Sequence, residues 1–440
     1  MLEKYFSLRQ NNTNIKTEVL AGLTTFLAAM YIIVVNPAIL SKTGMPFNGV
    51  LTATILVCAF CTIMMGLYAN NPILVAPGMG LNAYFTFTVV MGMGVKWETA
   101  LGSVFCAGII FLILSIFNVR TYIVKAIPKQ IRFAVSAGIG LFIALIGLEN
   151  AHFITADAST LVKLGRIDSV SITFAIGLIL TALFVIKKIK GALIIGILIT
   201  TILSIPIGRL YGDASAINYG VPTLVTWKGL FSLPDFSLIF KMDLLSSLKY
   251  AIWPVTFTVL FTDMFDSLST FVGVAEAGNL VDSSGEPRNI KQSLIVDAAA
   301  TTIAGIVGSS AGTAYIESAA GIAEGGRTGL TAVVSGLLFF PFLFFSPLLS
   351  NIPGIATAPA LVLVGVFMIK PILKINWSEF EDAVPAFLAL ILIPFTYSIT
   401  QGIIWGFLSW TIIKLVVGKR NEVTAMLLVI DVFAVLALII

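Results

Sequence analysis

Between Lys42 and Lys96 the chain carries no Asp, Glu, Lys or Arg. A spanning helix needs about 20 apolar residues, so this one run is long enough for two crossings, with Asn70-Asn71-Pro72 as the breaker between them. Comparable uncharged runs lie at 19–41, 99–119, 133–148, 169–186, 191–208, 298–316, 328–369 and 383–413. A soluble domain carries roughly a quarter charged residues. Here only 11% of 440 residues are charged and 58% are hydrophobic, too little charge to cover a surface facing water. The pattern predicts an all-α polytopic membrane protein with about 14 segments.

The same numbers exclude other classes. A net charge of +4 arises from short basic clusters, with no long Lys/Arg block, so nucleic acid is not expected as a partner. One histidine, His152, cannot build a zinc helix, and no metal site or bound cofactor is expected. Cys58-x-x-Cys61 has a redox spacing but sits in an apolar run, where packed thiols are the simpler reading. The first 18 residues are polar, show no signal-peptide core and read as a cytoplasmic segment.

Basic residues fall at alternate ends of the runs: Lys4, Arg9 and Lys16, then Arg120, Lys125, Lys129 and Arg132, then Lys187, Lys188 and Lys190. Arg288, Lys291, Arg327, Lys370 and Lys374 continue the pattern. The positive-inside bias makes these cytoplasmic and puts the N-terminus on the cytoplasmic side of a cell membrane. The polar stretches 150–168 and 210–247 then face outward. Beyond residue 383 the count is open: 384–418 reads best as a short hairpin, and 423–440, interrupted by Asp431, as a further span or an element lying against the bundle.

Two segments carry Gly/Pro clusters beside polar residues: "NPILVAPGMGLNAYF" at 71–85 and "GSSAGTAYIESAAG" at 308–321. Freed backbone groups are tolerated at membrane depth only inside protein or beside a water-lined cavity. If two similar halves begin near residues 19 and 250, Asn82 and Glu317 lie at matched depths in them. Paired interruptions point to an inverted-repeat transporter with its site at the midplane; close-packing motifs of small residues are the alternative. Three carboxylates strengthen the first reading. Asp263 and Asp266 are spaced to share a helix face, and Glu317 lies within the second interruption. Each costs about 2.5–3.5 kcal/mol to insert. Asp297, near a helix start, is weaker evidence. Desolvated, neighbouring carboxylates suit proton binding and release. Together with the amide of Asn82 they suit a flat ligand with N–H and C=O edges and repel an anionic substrate.

With these motifs the chain resembles the second nucleobase:cation symporter family, in its AzgA-like branch of guanine/hypoxanthine and adenine permeases. The matching stretches are "TEVLAGLTTFLAAMYIIVVNP" (17–37), "APGMGLNAYF" (76–85), "SAGIGLFIALIGL" (136–148), "DMFDS" (263–267), "YIESAAGIAEGGRTGLTAVV" (315–334) and "VPAFLALILIPFTYSITQGI" (384–403). Ser269 departs from the family, where Gly is common. The resemblance implies 14 segments in two inverted repeats of seven, at 19–210 and 248–440, joined by an extracellular connection at 211–247. It further implies core and gate domains, broken third and tenth segments and a possible homodimer.

Carried over residue by residue, the resemblance implies substrate contacts at Asn82, Asp263 and Glu317, with backbone groups at Ala83, Tyr84 and Ile316. Glu317 is the principal purine-binding carboxylate in this reading, Asp263 a ligand or proton carrier, and Asp266 a structural or coupling partner. Proton coupling is assigned to Asp263, Asp266 and Glu317. The implied activity is purine import by proton symport and alternating access, with Asp263 leaning toward guanine and hypoxanthine. Alternatives are an adenine-selective or xanthine/uracil-type permease of the same fold. More remote is an intramembrane aspartyl protease, disfavoured because both aspartates lie on one helix and no G-x-G-D motif is present; no enzymatic activity is expected.

Overall fold

A computed structural model describes residues 2–117, 128–157, 159–211, 229–278, 280–281, 287–350 and 352–439. Arg120, Lys125 and part of the expected connection, 212–228, lie outside the described residues, as does the side chain of Ser269.

Apolar runs become helices because lipid offers no hydrogen bonds, so each backbone N–H must find a partner within its own segment. The first half contains α1 (Ile15–Ala29), α2 (Ile32–Leu40), α3 (Phe47–Leu56), β1 (Val75–Pro77), α4 (Met79–Ala83), α5 (Trp97–Ile116), α6 (Lys129–Asn150), α7 (Ser169–Ile186) and α8 (Ala192–Tyr211). A two-stranded hairpin, β2 (Ile154–Asp157) with β3 (Leu161–Leu164), joins α6 to α7. The second half contains α9 (Trp253–Gly278), α10 (Ile290–Val307), β4 (Gly312–Ala314), α11 (Ser318–Ala323), α12 (Gly329–Leu337), α13 (Gly354–Met368), α14 (Phe380–Phe395), α15 (Ile399–Val416) and α16 (Ala425–Ile439). Among the described residues nine helical stretches are long and apolar enough to cross a membrane, and two shorter apolar ones accompany them.

The expected breaker behaves as its residues dictate. Asn70 adopts a left-handed conformation (φ 48°) and ends the helical stretch that continues α3, and the chain runs extended through Pro72 to β1. The expected C-terminal hairpin is also present, as α14 and α15. Asp168 caps α7 with a full capping box through Ser171, fixing the start of that helix outside the apolar run.

The helices pack in two groups. In one, α1 lies against α11 and α12, α5 against α9 and α10, and α2 against α3. In the other, α6 lies against α13 and α14, α7 against α8, and α14 against α15. The α6/α13 contact depends on paired glycines: a Cβ on Gly365 would meet the carbonyl oxygen of Gly140 at 2.5 Å. Backbones this close need residues without side chains.

Basic residues from distant parts of the chain meet the N-terminal segment. Arg288 donates to Asn11 Oδ1, to the carbonyl oxygen of Asn70 (3.2 Å) and to that of Arg327 (2.6 Å). Nearby, Lys190 pairs with Glu324 (3.0 Å), and buried Glu18 accepts backbone N–H bonds from Arg327, Thr328 and Thr331.

Candidate functional site

The two interrupted segments meet. β1 and β4 pair antiparallel with Val75 opposite Ala314, Ala76 opposite Thr313 and Pro77 opposite Gly312. Two strands of three residues are marginal by themselves, so their stability comes from surrounding hydroxyls. Thr62 both donates to the carbonyl of Val75 (2.9 Å) and accepts from its N–H (3.0 Å). Ser318 Oγ accepts from Leu74 N–H (2.9 Å), and Tyr315 donates its phenol to the carbonyl of Pro77 (2.6 Å). From α9, Ser267 bonds Thr313 Oγ1 (2.7 Å) and accepts from Ala314 N–H (3.3 Å). Protein groups thus replace the helix bonds that Gly and Pro open.

Beside this junction, between the two helix groups, lies a cavity of about 570 Å3. Tyr31, Met79, Asp266 and Glu317 line it from one group, and Phe133, Ser136 and Phe367 from the other. Glu317 sits at the start of α11 with its carboxylate partly exposed to the cavity, and Oε1 accepts the phenol proton of Tyr31 at 2.7 Å. A hydrogen bond to an ionised acceptor is about twice as strong as a neutral one and fixes its orientation. Asp266 is half-buried at the same cavity. A second cavity, of about 370 Å3 and lined by Pro46, Asn48, Asp235 and Ser346 among others, contains none of the candidate residues.

The sequence-predicted residues therefore divide. Asp266, Ile316 and Glu317 line the larger cavity; Asn82, Ala83, Tyr84 and Asp263 do not. Asp263 is fully buried one helical turn away, where Oδ2 accepts from Thr301 Oγ1 at 2.5 Å, and the same hydroxyl lies 2.9 Å from the carbonyl of Gly312. Thr301 thus links Asp263 to the backbone of β4. Asn82 is likewise buried, its Oδ1 accepting from Ser310, and Tyr84 accepts from Thr400 (3.2 Å). Asp263 and Asp266 point to different surroundings, an arrangement unsuited to the paired-aspartate chemistry of a protease.

Nothing in the sequence singles out Tyr31. It falls within a recognised stretch, but a phenol in an apolar run gives no signal until its partner, 286 positions away, is known. Lys129, Arg132, Lys370 and Lys374, read from sequence only as orientation markers, also line the cavity. Among the described residues no group of three or more His, Cys, Asp or Glu is arranged to hold a metal ion.

Comparison with known proteins agrees with this architecture. The chain is 39% identical to the adenine permease AdeP of Escherichia coli, covering 100% of this chain and 96% of that protein. It is 40% identical to the guanine/hypoxanthine permease PbuO of Bacillus subtilis, with 98% of each chain covered, and 39% identical to PbuG of the same organism, with 96% of each covered. Among solved structures, the transmembrane domain of the cyanobacterial bicarbonate transporter BicA superposes with a TM-score of 0.67 over 89% of this chain and 97% of that one. At 15% identity that likeness speaks for the fold alone. The sequence profile of the Permease family matches residues 16–404, and with relatives this similar over their full lengths the chain belongs to that family, as a permease and not an enzyme.

Proposed function

We propose that this protein is a secondary active transporter that imports purine nucleobases across the cell membrane by proton symport and alternating access. The observation that carries the reading is the Tyr31–Glu317 pair, facing with Asp266 a cavity at the junction of two broken segments and between two helix groups. A purine has no net charge to anchor and must be read by its N–H and C=O edge. An ionised Glu317 accepts such N–H groups, and the phenol of Tyr31 orients its carboxylate.

This favours guanine and hypoxanthine. Both present a ring N–H to the carboxylate, and guanine adds an amino N–H beside it, whereas adenine presents a ring-nitrogen acceptor that needs a protonated partner. The preference rests on Glu317 rather than on Asp263, which is turned away from the cavity. An adenine-selective permease is the second reading, supported by the full-length similarity to AdeP.

Grouping the described helices with the two broken segments into seven units before residue 212 and seven from Trp253 to Val416 gives the 14 segments of two inverted repeats, with α16 appended. Each repeat then has one strand-broken segment, third in its own half, carrying β1 or β4. The group containing α1, α9 and α11 acts as the core that holds substrate, and the group containing α6, α13 and α14 as the gate it moves against. The contacts of Arg288 with the N-terminal segment and with Arg327 support a cytoplasmic N-terminus. Protons enter through Glu317 and Asp266, two carboxylates sharing one site that resist ionising together. No bound cofactor is required, and assembly as a homodimer is compatible with the exposed apolar helix faces.

The test is uptake of radiolabelled hypoxanthine and adenine by cells lacking their own purine permeases, with each competed by guanine, xanthine and uracil. Uptake blocked best by guanine supports the oxypurine reading; strongest competition by adenine selects the second.

A further inference from the structure

The cavity that holds Glu317 extends in one direction only from the site. On α6 its lining runs from Ser136 back to Lys129, the first residue of the helix, and on α9 from Asp266 on to Gly273. In the other direction the two helix groups touch. A Cβ on Gly80, in the α4 turn that follows β1, would meet Cγ2 of Ile139 on α6 at 2.4 Å. Phe265 of α9 meets Phe407 of α15 edge-on, ring centroids 6.3 Å apart, and both rings are buried. A dry contact between core and gate therefore closes this side of the site.

Beyond it the groups are joined by hydroxyls. Thr400 Oγ1 of α15 lies 2.9 Å from Thr258 Oγ1 of α9 and 3.2 Å from the phenol oxygen of Tyr84, in the helical stretch that continues α4. One turn along that stretch, Thr88 donates to the carbonyl of Tyr397 (2.6 Å), whose phenol donates to Glu149 near the end of α6. At the exposed rim Lys42, just past α2, donates to Asn150 Oδ1 (2.7 Å). At 1.5 Å per residue Thr258 stands about 12 Å from Asp266 along α9, and Glu149 about 20 Å from Ser136 along α6, in both cases away from the cavity. None of these hydroxyl-bearing residues lines it. A further tie between the groups, Lys190 with Glu324 (3.0 Å), follows α7 after that helix has run back from the hairpin beside Asn150. Both of its side chains are partly exposed, where an ion pair contributes little.

We propose that Tyr84, Thr88 and Thr258 of the core, with Tyr397 and Thr400 of the gate, form a latch that shuts the side of the site opposite the cavity and must open in each transport cycle. Hydroxyls suit this task. An ion pair broken at this depth would leave two uncompensated charges, whereas a threonine released from its partner bonds back to a carbonyl of its own helix or to water. The latch can thus hold one state and still let go. It gives Tyr84 a part that its distance from the cavity denies it as a ligand: its phenol positions core against gate. The inference rests on the alternating access proposed above and is independent of which substrate is carried.

The test uses the full-length protein in a background lacking Cys58, Cys61 and Cys106. In the Thr258→Cys/Thr400→Cys variant a short thiol-bridging reagent should join the two side chains without substrate present, and hypoxanthine uptake should fall at least tenfold and recover on reduction. Thr258→Cys alone gives a reading that needs no substrate, because residue 258 is buried, 1% exposed. Its labelling by a membrane-impermeant maleimide in right-side-out vesicles reports opening of the latch. Adding Thr88→Val removes one bond across the boundary and should speed labelling about threefold or more, while Thr88→Ser, which keeps the hydroxyl, should leave the rate unchanged. Thiols that fail to join, a bridged protein that transports as fast as the reduced one, or labelling indifferent to Thr88→Val would each overturn the proposal. No purine uptake by any variant, with cross-linking and labelling as expected, removes the substrate reading and leaves the latch standing.

Discussion

Glu317 and Tyr31 carry the account at the scale of single residues. Glu317→Gln keeps the shape of the side chain but removes the charge that accepts two N–H groups, so uptake should fall to background while the protein remains in the membrane at wild-type level. Saturable uptake by that variant, with membrane content measured in parallel, would remove Glu317 from the site. Tyr31→Phe removes only the phenol that donates to Glu317. A hydrogen bond to a charged group contributes about 1.5–3 kcal/mol, so substrate affinity should drop by about tenfold or more, read as a raised KM. Asp263 is expected to behave differently because Thr301 connects it to the carbonyl of Gly312. Thr301→Val, close in volume, should lower stability by about 1–3 kcal/mol and leave the affinity of the folded fraction near wild type. A collapse of affinity at unchanged melting temperature would return Asp263 to the ligand set.

At the scale of elements, the sequence carries more of the fold than of the site. Uncharged runs bounded by Lys and Arg locate the helices because a membrane admits little else, and Gly/Pro clusters beside Asn82 and Glu317 locate the interruptions. The register that pairs Val75 with Ala314 is not legible, since it depends on hydroxyls of Thr62 and Ser267 arriving from other helices. Asp263 and Asp266 have the spacing of one face, yet one is linked through Thr301 to a strand and the other meets the cavity. The three-residue interval leaves their directions about 60° apart and one turn displaced along the helix, enough to give them different neighbours. The end of the chain was ambiguous for a related reason. Lys414 follows an apolar run and looks like a cytoplasmic stop, but its side chain is only 2% exposed and pairs with Glu381 (2.9 Å), Asp382 (3.0 Å) and Glu422 (2.9 Å). It fastens α14 to α15 and to the turn before α16. Close packing supplies an element-scale prediction: Gly365→Val drives a side chain into the Gly140 carbonyl, and overpacking of this kind costs about 1–3 kcal/mol. A lower melting temperature is expected, whereas an unchanged one would mean that α6 and α13 separate at no cost.

For the whole molecule, two helix groups share one cavity, whose lining includes cations read as cytoplasmic. A probe of this orientation is Ser136→Cys in a background lacking Cys58, Cys61 and Cys106, the three native thiols, all of them free. A membrane-impermeant thiol reagent should label it faster in inside-out than in right-side-out vesicles, and purine should slow the reaction. Equal labelling from both sides would describe an open pore and not alternating access. The measurement that tests the central claim most directly is uptake of radiolabelled hypoxanthine by purine-permease-deficient cells, with and without a protonophore. The account predicts saturable accumulation that guanine competes for and that collapses when the proton gradient is dissipated. Accumulation above equilibrium that survives the protonophore, or no purine uptake with the protein present in the membrane, would contradict it.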